Sequence, residues 1–217
     1  MNGREQLLDA AEALFAERGI DGVSLREINA AAGSRNASGV QYHFGDRAGL
    51  VRAVVARRRP DVEARRHRLL DACDAATPDL RALADALVRP WAACLGEPGG
   101  PGYLQVLADL LNRPRPAIDP ASLDDPSDSL FRWRAAVAPC LSDEAVVLHR
   151  RFVAIRFTVT ELARRARRRL DSADGAPVTS DELFVRDLVD LVAGLLAAPV
   201  SAETGDLARA RRTERGS

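Results

Sequence analysis

Apolar residues recur at helical spacing along nearly the whole chain, and the alternating pattern of a half-buried strand is almost absent. Leu7, Leu8, Ala11, Leu14 and Phe15 form one stripe, which Gly19 closes. Leu148, Phe152, Ile155, Val159 and Leu162 follow at steps of four, three, four and three. Leu183, Phe184, Leu188, Leu191, Val192, Leu195 and Leu196 make a third stripe, which stops at Pro199. Such a chain is expected to be all-α, with about nine helices. Its 47% apolar content is enough for a sizeable core.

Local punctuation places the elements. Ser24-Leu-Arg-Glu27 is a capping box that opens a short second helix, closed by Gly33. A third short helix is expected from about Ser38 to His43, and Asp46 is placed to cap a long fourth helix running toward Ala76. Thr77-Pro78-Asp79 restarts a helix with Thr77 as cap and Pro78 at the first position. That helix stops before "GEPGGPG" (96–102), and another covers Tyr103 to Asn112. The four prolines in "RPRPAIDPASLDDP" (113–126) predict an irregular loop. One helix is expected from Ser142 to about Leu170. A last one opens at the capping box Thr179-Ser-Asp-Glu182. These divide the chain into a small unit (1–48), a larger helical unit (49–200) and a tail (201–217) too polar to be expected to order.

Composition excludes more than it proves. Arginine supplies all 31 basic residues and acids also number 31, so global charge gives no argument for nucleic acid. Met1 to Phe15 lacks the pattern of a signal peptide, and Arg186, Asp187 and Asp190 interrupt the most apolar late segment. Cys73, Cys94 and Cys140 are far apart and make no CxxC. A cytoplasmic protein with reduced thiols, no metal, no cofactor and no membrane association is the expectation.

The polar run within "AAGSRNASGVQYHFGDRAGL" (31–50) falls between two helix-forming segments, where a core would not use it. Two short helices joined by a tight glycine-containing turn and packed under a first helix describe a helix-turn-helix. Its second helix lies in a DNA major groove. Arg35 can address guanine O6 and N7, and Asn36 or Gln41 adenine N6 and N7. Ser38, Tyr42 and His43 suit phosphate contacts, Arg47 adds a cation toward the backbone, and Ser24 offers a hydroxyl at a helix N-terminus.

"LLDAAEALFAERGIDGVSLREINAAAG" followed by "VQYHFGDRAGL" resembles the N-terminal DNA-binding domain of TetR-type transcriptional regulators, over about residues 4 to 52. The chain has one residue more than the common pattern between Gly33 and His43. Gln41 stands where that pattern has tyrosine, and Asp46-Arg47 replaces Ser-Lys. Which of Arg35, Asn36, Ser38 and Gln41 meets a base is therefore left open. Residues 1–48 carry five arginines against seven acids, so phosphate attraction is assigned to the surface of Arg35, Arg47, Arg52 and Arg57–Arg59.

Trp91, Cys94, Tyr103, Leu107, Phe131, Trp133, His149 and Phe152 collect most of the large aromatics in the central helices. They read either as ordinary core or as the lining of a small-molecule cavity. The resemblance implies such a cavity, for an inducer not yet identified. It also implies a homodimer formed by the last two helices, with Phe152, Ile155, Val159, Leu162, Phe184, Leu188, Leu191 and Leu195 as candidate interface residues. A dimer reads a palindromic operator in double-stranded DNA, since one recognition helix covers only a few base pairs. The chain is accordingly expected to be a regulator, a repressor released by its ligand, and not an enzyme. The alternatives are a helical adaptor and a small helical enzyme, although no P-loop, nucleophile elbow or metal-spaced pair occurs.

Overall fold

A computed structural model describes residues 3–33, 38–73, 79–113, 125–171 and 179–215. Among the described residues there are eleven α-helices and no strand. They are α1 (Gly3–Arg18), α2 (Leu25–Ala31), α3 (Gly39–Phe44), α4 (Arg47–Asp71), α5 (Leu80–Ala92), α6 (Gly100–Leu111), α7 (Ser129–Val137), α8 (Asp143–Val147), α9 (Arg150–Asp171), α10 (Asp181–Ala197) and α11 (Ala202–Arg215).

Two apolar cores share one long helix. Leu7, Leu8, Ala11 and Phe15 of α1 pack with Ile28, Val40, Leu50, Val51 and Val54 in the smaller core. Fully burying a residue such as Phe15 contributes roughly 1.5–3 kcal/mol. Farther along α4, Val62 and Leu70 enter the larger core with Leu83, Leu87, Trp91, Leu104, Trp133, Val159 and Leu188. The expected boundary at 48/49 falls inside the first turn of α4, which runs through both units without a linker. Helix α6 joins them a second time, because Val106 is fully buried in the smaller core. The approach is close: a Cβ on Gly102 would lie 1.9 Å from the Glu12 carbonyl oxygen.

The caps explain several of the starts. Ser24 and Glu27 form the predicted box, Asp46 accepts from the Gly49 N–H at 2.6 Å, and Ser142 caps α8. Asp79, rather than Thr77, caps α5, its carboxylate accepting from the Arg81 and Ala82 N–H groups. Ser180, rather than Thr179, caps α10. Asp128 caps α7, an element the sequence reading did not delimit, and Trp133 anchors it by donating from Nε1 to the Leu83 carbonyl at 2.7 Å.

Two expectations are corrected. The single helix expected from Ser142 to Leu170 is two, because the chain turns at His149, whose φ is +56°. The apolar spacing runs through that turn and conceals it. The tail is not structureless either, since residues Ala202–Arg215 form α11. Ser201 Oγ accepts from the Thr204 N–H, Gly205 and Ala208 are buried, and Arg209 bonds Glu144 at 2.6 Å. Small residues and an ion pair dock this helix, so a scan for large apolar side chains passes over it. No helix among the described residues is long and apolar enough to cross a membrane.

Candidate nucleic-acid interface and the adjoining cavity

The angle between α2 and α3 is held by a residue that sequence reasoning missed. Asn29 is buried; its Oδ1 accepts from the Val40 N–H at 3.0 Å and its Nδ2 donates to the Leu25 carbonyl at 2.8 Å. An asparagine inside a short helix carries no sequence signal for a partner eleven positions away. Gly39 and Val40 turn inward, while Ser38, Gln41, Tyr42 and His43 lie exposed on or beside α3. Tyr42 is 82% exposed, with its ring edge-on to His43 at 4.9 Å between centroids. An exposed, unpacked tyrosine on the second helix of such a unit suits contact with nucleic acid. Arg35 and Asn36 lie outside the described residues.

Two of the predicted phosphate contacts have other employment. The Ser24 hydroxyl accepts from the Glu27 N–H at 3.2 Å and donates to its carboxylate at 2.6 Å. Bonds from the Ser24 hydroxyl, the Ser24 N–H and Arg18 hold the Glu27 carboxyl down to about 2, and this carboxylate occupies the hydroxyl that was expected to meet a phosphate. Arg47 points inward instead of toward DNA. Its Nη1 donates to the Ile20 carbonyl at 2.7 Å and its Nη2 to that of Val23, holding the turn between α1 and α2.

The arginine run at 57–59 is likewise taken up by ion pairs within the chain, although Arg57 and Arg59 are exposed. Arg57 bonds Asp9 at 2.7 Å, Arg58 lies 3.3 Å from Glu12 and 3.2 Å from Glu97, and Arg59 pairs with Glu63 and Asp128. Glu12 is 1% exposed, and burial raises its carboxyl pKa against the pull of Arg58 and Arg57. Arg57 and Arg58 fasten α4 to α1 and to the segment before α6, and Arg59 fastens it to the cap of α7.

The model of the family described as "Bacterial regulatory proteins, tetR family" matches residues 7–54. Over those residues, which run from α1 into α4, the chain is similar to that family. No curated protein matches the chain. Among solved structures, AmtR of Mycobacterium smegmatis is similar with a TM-score of 0.52 at 19% identity, covering 98% of this chain and 95% of that one. At this identity the likeness is one of fold. A TetR-family regulator of Streptomyces coelicolor is similar with a TM-score of 0.42 at 20% identity, covering 89% of this chain and 94% of that one. The TetR-family transcriptional regulator PfmR of Thermus thermophilus is similar with a TM-score of 0.42 at 15% identity, covering 98% and 95%.

Behind the TetR-type domain lies a cavity of about 870 Å³. It reaches from Ile20, Arg47 and Val51 to Trp91, Tyr103 and Phe131 of the larger unit, so α4 is one of its walls. Five of the eight residues expected to line such a cavity do so: Trp91, Tyr103, Leu107, Phe131 and Phe152. Cys94 and Trp133 are instead packed in the core, and His149 is exposed at the α8–α9 turn. Their place was misjudged because aromatic type does not say which face of a helix a residue occupies. The missed lining residues include arginines and aliphatic residues of α4 such as Val51 and Val55.

The candidate dimer residues divide. Ile155, Val159, Leu162 and Leu188 are buried in the chain's own core, so these four offer no face to a second copy, and the half-buried Phe152 lines the cavity. Leu191 is 50% exposed, and Phe184 and Leu195 are half-buried. Leu183 and Val153, which sequence reasoning did not single out for this role, extend the apolar surface of α10 and α9.

Proposed function

We propose that the chain is a ligand-released repressor that acts as a cytoplasmic homodimer, places α3 of each copy in adjacent major grooves of a palindromic operator, and has no catalytic role. One arrangement carries this reading. The turn between α1 and α2 is fixed by three charged side chains. Arg47 holds the Ile20 and Val23 carbonyls, Asp109 accepts from the Ile20 N–H at 3.1 Å, and Arg113 lies 3.6 Å from Asp21. Arg47 and Arg113 also line the cavity. A molecule that draws either of them away alters the support of the helix-turn-helix. Two recognition helices must sit about 34–36 Å apart to meet successive grooves, so a small tilt is enough to lose the match. Shifting the two states from 1:99 to 99:1 takes about 5.5 kcal/mol of differential binding.

The surface of Leu183, Phe184, Leu191 and Leu195 supports pairing of α10 with its symmetry mate, with Val153 on α9 at its edge. The test is selection of bound duplexes from a random-sequence pool, with the mass of the complex read by light scattering. An inverted repeat bound by two copies is expected. Selection of no common sequence, or binding as a single copy, contradicts the reading.

A further inference from the structure

We propose that the cavity takes a small molecule with an apolar body and one carboxylate, and that Arg66 receives that carboxylate side-on through Nε and Nη2. The inference rests on the reading of this cavity as the effector site and names the chemistry of the effector.

Arg66 belongs to the cavity wall but is 1% exposed, so a ligand meets its buried edge only after that side chain or its neighbours shift. Its Nη1 donates to Ser129 Oγ at 2.9 Å, and its guanidinium stacks 4.5 Å from the Trp91 ring centroid. Its Nε and Nη2 are buried without a hydrogen-bond partner. Buried arginines are ordinarily paired, because a desolvated donor left unsatisfied is costly. The two unmatched nitrogens are not arbitrary. Nε–H and the neighbouring Nη2–H form one edge of the guanidinium, with parallel donors at the spacing of the two oxygens of a carboxylate.

The two acids in the cavity wall are occupied. Asp128 accepts from the Leu130 and Phe131 N–H groups through Oδ1 and from Arg59 through Oδ2, and Glu63 accepts from Arg59. Both lie near enough to favour the cationic form of Arg66, but among the described residues neither is in ion-pair contact with it. Burial brings the guanidinium down only to about 10, so it remains charged at neutral pH. The wall as a whole holds six arginines against these two acids, which favours an anion over a cation or a neutral polar molecule. Val51, Val55, Leu107, Leu110 and Phe152 supply the apolar remainder. A volume near 870 Å³ suits a molecule larger than a simple short-chain acid.

The test is a fluorescence titration with 11-(dansylamino)undecanoate and with its methyl ester, which keeps the rings and chain but loses the charge. Wild-type protein is expected to bind the acid about ten- to a hundredfold more tightly than the ester, the value of a charge-assisted pair. Arg66→Met is expected to abolish that preference, and saturable binding of the ester by the variant shows that it folds. Arg66→Lys, which keeps the charge but not the edge, is expected to recover only a minor part. Equal binding of acid and ester by wild-type protein overturns the carboxylate assignment, and an acid preference unchanged in Arg66→Met overturns the assignment of Arg66; either leaves the effector reading standing. Saturable binding of neither probe overturns both.

Discussion

Glu12, on α1 against α4, and Arg66, on α4 itself, are each 1% exposed. Glu12 is met by Arg57 and Arg58, and the glycines of the segment entering α6 close over it. Arg66 is met by a hydroxyl and an aromatic face, and two of its donors find nothing. The first charge is a joint between the DNA-binding unit and the rest of the protein. The second is a cost that the fold bears without a structural return. Burial alone does not distinguish a structural charge from a functional one; the completeness of its partners does.

The largest expected effect comes from breaking the joint. Arg58→Met leaves Glu12 with only the longer contact to Arg57, at 3.5 Å. Loss of a partner from a buried pair costs about 3 kcal/mol at the low end, or a fall of roughly 6–12 °C in melting temperature for a chain of this size. A calorimetric scan checks it. Next is Gly102→Ala, whose Cβ meets the Glu12 carbonyl at 1.9 Å. The α1 and α6 backbones must part, costing about 1–3 kcal/mol in the same scan. On the other side of the comparison the sign reverses. Arg66→Met removes an uncompensated buried charge and is expected to raise the melting temperature of the ligand-free protein by about 2–4 °C, the equivalent of roughly 1 kcal/mol. A fall of that size instead would make Arg66 a structural residue like Glu12.

A third charge, with partners but no burial, gives the smallest effect. Glu27 has its carboxyl held down to about 2 by Ser24 and Arg18. A depressed acid contributes stability above its unfolded value, near 4.5, and loses it as pH falls toward the folded value. Glu27→Gln is therefore expected to lower stability slightly at neutral pH, with the gap to wild type closing between about pH 4.5 and 2 in acid-unfolding curves.

What the sequence disclosed follows the same division. Caps at Ser24 and Asp46 were legible because a cap and its target lie within one turn. The helix-turn-helix was legible because its glycines and helix starts are local as well. The break at His149 was not, since an apolar stripe continues across it. Nor was the inward face of α9, where apolar residues occur on more than one side and only packing selects among them. Asn29, Arg47 and Arg66 act through partners 11, 27 and 63 positions away, distances over which no spacing rule operates. Arg57 and Arg58, assigned to phosphate attraction, turned out to be fastenings of the fold, and Arg47, Arg52 and Arg59 line its cavity. Arg165, from the run at 164–169, is buried against Asp181 and Thr179.

The central claim is that α3 reads DNA. Its most direct test is fluorescence anisotropy of a selected operator duplex with wild-type protein and with Gln41→Ala/Tyr42→Ala, two exposed residues that take no part in either core. Truncating a base contact costs about 1–3 kcal/mol, so the double variant is expected to lose at least tenfold in affinity with an unchanged melting temperature. Equal affinity of the two proteins for the operator would contradict the account.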